Sequence, residues 1–206
     1  MTTPGPDESE TREALAAAAQ WVATYLQESH RYPVLSTIRP GQIAQSLAQH
    51  PPEHGERLEK LLRDVDTLIM PGITHWNHPG FFAYFGITGS APGVMGEFIA
   101  AALNVNAMLW RTSPAATELE QRTLRWVAQM MGLPDTFFGE ILDTASSSTF
   151  CALAAAREAA GLDIRNRGMA GRSDLPPLAI YTSSEAHSSV DKAAIALGFG
   201  RDFTRR

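Results

Sequence analysis

The chain has 206 residues, 44% of them hydrophobic, and a formal net charge of −5. That is enough apolar material for one sizeable core, or a domain plus an appendage. An acidic balance with no basic stripe excludes nucleic acid as the main partner, and the single cysteine, Cys151, excludes an intramolecular disulfide framework and fits a reducing, cytoplasmic setting.

The opening stretch MTTPGPDESETREA has no basic n-region and no apolar h-region, so no secretory signal is expected. It leads into a predicted helix from about Glu8 to Ser29, with Ala14, Leu15, Ala18, Trp21, Val22, Tyr25 and Leu26 on one face. Asp7, three residues before Glu10, suits a capping box. RYPVLSTIRPGQ breaks the helical pattern, and a short helix in GQIAQSLAQH stops at Pro51 and Pro52. Leu58, Leu61, Leu62, Val65, Leu68 and Ile69 then repeat at helical spacing until Pro71-Gly72. These amphipathic helices have little in their own segment to cover them, so they are expected to pack on another domain or another protomer.

THWNHPGFFAYFG is dense in aromatic residues, and Trp76, Phe81, Phe82, Tyr84 and Phe85 read first as core. Alternation along an extended stretch would place Phe82 and Tyr84 on one face, with Phe81 and Phe85 near the other. A helix from about Ala91 to Val105 follows. Its surroundings, PGVMGEFIAAALNVNAMLW, form the most apolar stretch, but Glu97, two Asn, a Pro and two Gly argue against a membrane span. Ser113 and Pro114 mark the start of the next helix, and Gly132 with Pro134 its end.

GEILDTASSSTFCALAAAREAAG reads as a short strand, a small-residue turn and an alanine-rich helix, with Cys151 as a small helix-core residue. GLDIRNRGMAGRSDLPP reads as a polar connection, and Arg172, Arg201, Arg205 and Arg206 as solvated. LAIYTSSEAHSSVDKAAIALGFG again reads strand, turn, helix. This alternation is the signature of a mostly parallel α/β sheet. Only two strands are evident, so the sheet looks unfinished.

Two places can carry chemistry. In DTASSST, the Ala145 N–H and the Ser146 and Ser147 hydroxyls are placed to cradle a phosphate at a helix N-terminus, with an ordinary Ser/Thr cap as the alternative. Neither a nucleotide P-loop nor a G-x-S-x-G elbow is present. His187 follows the second strand, and ligands of open α/β sheets sit outside the carboxyl ends of strands. A capping surface histidine is its alternative. Of the 17 basic residues only Lys60 and Lys192 are lysines. Lys192, inside the first turn of the last helix, reads as a solvated surface residue. His75 and His78 lack Cys, Asp or Glu partners nearby, so no metal site is expected.

Taken together, IMPGITHWNHPGFFAYF, SPAATELE, MGLP, DTASSSTFCALAAAR and YTSSEAHSSVDKAA resemble, in order and spacing, the pyridoxal-phosphate-dependent amino-acid decarboxylases of the aromatic-L-amino-acid (DOPA, tryptophan, tyrosine) decarboxylase family. The resemblance runs over about residues 10 to 200. It implies a fold-type I α/β enzyme with pyridoxal 5'-phosphate as cofactor, an amino acid as substrate, loss of carbon dioxide, and an obligate homodimer. Residues 1–88 would be a helical dimerisation segment carrying the substrate-side aromatics, and 89–206 the opening part of the cofactor domain.

By the same resemblance Ala145 and Ser146 would hold the cofactor phosphate, and His187 would stack on its ring and touch the substrate. Trp76, Tyr84, Phe85 and Ile87 would line the substrate side. Gly86 and Ile87 stand where the family often has Pro and Thr, and Asn106 and Met108 where aromatic-specific members tend to carry Ile and Phe, so the substrate amino acid stays open. The family's cofactor lysine belongs to a downstream block that these residues do not contain. The expectation is the N-terminal part of an enzyme, inactive alone. A non-catalytic remnant and another fold-type I enzyme such as an aminotransferase remain alternatives.

Overall fold

The computed structural model describes residues 7–87 and 89–206. The chain divides into two compact units, Met1–Asn104 and Val105–Arg206.

The first unit is built on helix α1 (Glu8–Glu28). The Asp7 carboxylate accepts from the Glu10 N–H at 2.7 Å, which satisfies one of the donors a helix start leaves open. α2 (Gln42–Ser46) is shorter than its sequence pattern predicts, because Leu47 is already extended. α3 (Leu58–Asp64) widens into a π-turn over Val65–Ile69 and tightens into a 3-10 turn at Met70–Gly72, where Pro71 has no N–H to continue the ladder. α1 packs on α3. Trp21 in α1 donates its indole N–H to Asp66 of the π-turn at 2.7 Å, and Ala14 and Met70 are buried. α4 (Ala91–Leu103) starts at Ser90, whose hydroxyl accepts from the Gly93 N–H, and stops at Asn104, which adopts the left-handed conformation.

In the second unit, α5 (Pro114–Met130) begins with Pro at its first position. The Ser113 hydroxyl makes no cap bond; the Ser113 carbonyl instead accepts from the Thr117 N–H and hydroxyl. Gly132, at φ +70°, closes the helix as predicted. α6 (Ala145–Ala159) and α8 (Ser189–Ala196) form the most extensive packing between elements, with α7 (Ile164–Arg167) against α6. Ala193, Ala194, Leu197 and Ile164 are buried. Strands β1 (Ile180–Tyr181) and β2 (Thr204–Arg205) pair in parallel, Ile180 opposite Thr204, with α8 as the crossover.

Four further sequence expectations change. The strand predicted at GEIL is extended backbone without a ladder partner among the described residues: the Ile141 N–H bonds to the Glu120 carboxylate of α5 at 3.0 Å. β2, where the alternation was expected to stop, supplies the partner of β1. Cys151 is exposed on α6, not part of a core. Arg172 is not solvated. Its side chain is 9% exposed, paired with Asp174 and donating to the Leu162 carbonyl at 2.6 Å. That pairing holds the Asp174 carboxyl well below the usual carboxylate range.

The chain's accessible surface is 16376 Å², whereas two globules of half this length would together expose about 11,000 Å². The excess is apolar in character: Met95, Phe98, Ile99 and Leu103 along α4, and Trp126, Met130 and Phe138 in the second unit, are all exposed.

The Arg157 guanidinium donates to the Leu197 carbonyl at 2.7 Å and clamps the end of α8 to α6. Arg157→Met keeps the apolar stem and removes the donor. It is expected to lower hydrogen-exchange protection of α8 amides about tenfold, equivalent to about 1.4 kcal/mol.

Candidate functional site

Thr144 sets the geometry of the Ser/Thr turn. Its hydroxyl accepts from the Ser147 N–H at 3.2 Å and contacts the Ser147 hydroxyl at 3.1 Å, while its carbonyl accepts from the Ser148 N–H and hydroxyl. The ordinary cap and the open donor set therefore coexist. Ser147 is engaged by the cap. The Ala145 N–H, the Ser146 N–H and the Ser146 hydroxyl have no hydrogen-bond partner among the described residues, and both residues are exposed. A helix start cannot satisfy these donors internally, and it carries a partial positive charge.

His187 lies in the turn between β1 and α8 and is exposed. Helix α8 takes no side-chain cap from Ser188. The His187 Nδ1 does that work, accepting from the Ser189 N–H at 3.2 Å, while the His187 carbonyl accepts from the Val190 N–H. With Nδ1 occupied as an acceptor, the neutral ring carries its proton on Nε2. Lys192, one turn on, is exposed, and its N–H bonds to the Ser188 carbonyl within the helix.

α6 and α8 pack on each other, and the Arg157 bond to Leu197 ties the C-terminal part of α6 to the end of α8. Ala145 and Ser146 stand at the N-terminal end of α6, and His187 just ahead of α8. The neighbouring apolar groove between α5 and Leu133–Gly139 includes none of these residues.

In the first unit the stretch 74–87 is a chain of turns, not an extended strand. The expected alternation is broken at Tyr84, which sits at φ +59°. For a bulky residue this region costs about 1–3 kcal/mol and is kept where surrounding structure enforces it. Its consequence is that Phe81 and Tyr84, expected on different faces, both reach Trp76: the centroid separations are 4.7 Å and 5.7 Å, and Tyr84 lies nearly parallel to the indole. Phe82, Tyr84, Phe85 and Ile87 are almost wholly exposed, so they are not core.

Behind this wall is a group the sequence offered only as a weak metal candidate. His75 is 1% exposed, and its Nδ1 shares a hydrogen bond with the Tyr25 hydroxyl at 3.0 Å. The Tyr32 ring stacks on it at 4.7 Å. Among the described residues no cluster of three or more His, Cys, Asp or Glu side chains converges. The sequence signal that could have found this role is the aromatic pair Tyr25 and Tyr32 at the end of an amphipathic helix.

A model of the pyridoxal-dependent decarboxylase conserved domain matches residues 40–204. Curated relatives include a phenylacetaldehyde synthase of Arabidopsis thaliana, 36% identical over 93% of this chain and 39% of its own length. Tyrosine decarboxylase 4 of Petroselinum crispum is 38% identical over 86% of this chain and 35% of its own. Among solved structures, Oryza sativa TDC with PLP and tryptamine superposes with a TM-score of 0.87 at 34% identity, covering 99% of this chain and 42% of that one. Rhodiola rosea 4-hydroxyphenylacetaldehyde synthase gives 0.85 at 31% identity, covering 98% and 44%. The chain thus spans about two-fifths of the length of the relatives it matches.

The His187 cap makes a direct spectroscopic prediction. Multiple-bond 1H–15N correlation is expected to show the neutral ring with a pyridine-type Nδ1 and a protonated Nε2. The opposite tautomer would contradict the Ser189 bond.

Proposed function

Because the chain belongs to the pyridoxal-dependent decarboxylase family, we propose that it forms the phosphate-holding and substrate-side part of an enzyme that decarboxylates an L-amino acid with pyridoxal 5'-phosphate. The unengaged donor set at the start of α6 carries this reading. A phosphate dianion suits it: each bond would be charge-assisted, and the helix end adds favourable potential. Ala145 and Ser146 would hold the phosphate. When bound, the cofactor's conjugated ring and protonated nitrogen take up the electron pair left at Cα as carbon dioxide departs.

The residues of this chain bind and orient. His187, pinned through Nδ1 by the Ser189 N–H, would lay its ring against the cofactor and offer Nε2–H to the substrate carboxylate. Trp76, Tyr84, Phe85 and Ile87 would form the apolar wall that receives the side chain and excludes water. Ile87 brings no hydroxyl to that wall, which favours an apolar contact there. Lys60 pairs with Glu56 and Lys192 is exposed on α8, and in this reading the amine that carries the cofactor would lie outside these 206 residues. The exposed wall, together with exposed Leu15 and Leu61, supports a homodimer in which residues 1–88 wrap the partner. No described helix is long and apolar enough to cross a membrane. Composition with one cysteine supports a cytoplasmic setting.

Supplied with pyridoxal phosphate and aromatic L-amino acids, the 206-residue chain is expected to release neither amine nor aldehyde. The same sequence continued to the length of its relatives is expected to release carbon dioxide and amine. In that longer enzyme His187→Ala should lower turnover about 100-fold through lost positioning. Ser146→Ala should weaken cofactor binding, followed by equilibrium dialysis, at least about tenfold, since a bond to a charged group contributes about 1.5–3 kcal/mol. An aldehyde product would move the reading toward the synthases, and turnover by the 206-residue chain would refute the placement of the lysine.

A further inference from the structure

His75 is the largest fully buried side chain among the described residues, and the proposed chemistry does not use it. A buried imidazole needs its polar atoms satisfied. Here α1 supplies the Tyr25 hydroxyl at 3.0 Å, and the segment after α1 supplies the Tyr32 ring, stacked at an interplanar angle of 18°. The backbone repeats the attachment. The His75 N–H donates to the Val34 carbonyl at 3.0 Å, the His75 carbonyl accepts from the His78 N–H at 2.9 Å, and the Ser29 hydroxyl donates to the Asn77 carbonyl at 3.0 Å. Trp76 is bracketed by these contacts. Its own side chain is half exposed and, among the described residues, stacks on Phe81 and Tyr84.

We propose that His75 is a positioning residue: the Tyr25–His75–Tyr32 cluster is the strut that fixes the 75–78 turn and so aims Trp76 into the substrate wall. This rests on the reading of Trp76 as part of that wall. The physical reason is leverage. Adjacent residues of one turn share backbone dihedrals, so a ring held from two sides at position 75 leaves the indole at 76 little freedom. The titratable groups facing His75 are Tyr25 from α1, Tyr32 from the following segment and His78 from its own turn. Burial, and secondly His78, hold the His75 pKa below the ordinary histidine value. Protonation would put a charge on the buried ring, against the Tyr25 hydroxyl and the Tyr32 face.

The test uses the 206-residue chain labelled with 5-fluorotryptophan, with the Trp76 19F resonance assigned by its loss in Trp76→Phe. Neither cofactor nor substrate is present, so its outcome is separate from that of the decarboxylation assay. The Trp76 resonance is expected to follow one pH transition below the ordinary histidine range. His75→Gln should abolish the transition, His78→Gln should keep it but move it to higher pH, and Tyr25→Phe should move the resonance while helical circular dichroism stays unchanged. If His75→Gln loses helical signal, the His78→Gln and Tyr25→Phe arms still decide. A Trp76 resonance flat in pH and unmoved by Tyr25→Phe overturns the proposal, as does a transition that disappears in His78→Gln.

Discussion

A helix cannot satisfy its own first backbone N–H groups, and what the second unit can offer a ligand follows from how α6 and α8 meet that constraint. α6 spends the Thr144 hydroxyl on the Ser147 N–H and leaves Ala145 and Ser146 open. α8 spends an imidazole nitrogen on the Ser189 N–H, which orients a histidine as a by-product of capping. One helix start is left with open donors, and the other fixes an imidazole through its Nδ1. Arg157 ties α6 to the end of α8. The candidate site is thus the set of groups that two helix caps release or fix.

The second constraint is burial. Few side chains in either unit are shielded, and the exposed residues include the aromatic wall itself. Apolar burial contributes roughly 25 cal/mol per Å², so a wall of this kind left in water is a large unrealised stabilisation. The chain spans about two-fifths of its relatives' length, and an apolar surface of this extent is what a longer polypeptide or a partner would cover. The two-residue strands agree with this: β1 and β2 pair with each other and form the whole described sheet.

Local signals were legible where one residue decides. Asp7 caps α1, Pro114 starts α5 and Gly132 ends it, because each follows from the dihedrals and donors of a single turn. The second strand–turn–helix of the second unit, and the family that the blocks resemble, were legible too. Other features depended on partners distant in sequence. The Ile141 segment is held by a glutamate 21 residues earlier in place of a ladder. The Arg172 side chain is shielded because it donates to the Leu162 carbonyl and pairs with Asp174. The left-handed Tyr84 has no local signal, since nothing in its residue type favours φ above zero.

The sequence by itself determined the helix boundaries with strong caps, the small-residue turn at 144–147, and the placement of His187 just ahead of a helix. These are short-range matters of backbone geometry. Only the tertiary structure decided which hydroxyl the Ser/Thr turn leaves open, which nitrogen of His187 is engaged, and that Phe81 and Tyr84 share one indole. It also turned His75 from a weak ligand candidate into a buried strut between Tyr25 and Tyr32. The physical reason is common to all four. A side chain's role is set by which donors, acceptors and rings come within about 3–6 Å of it, and that proximity is a property of the fold.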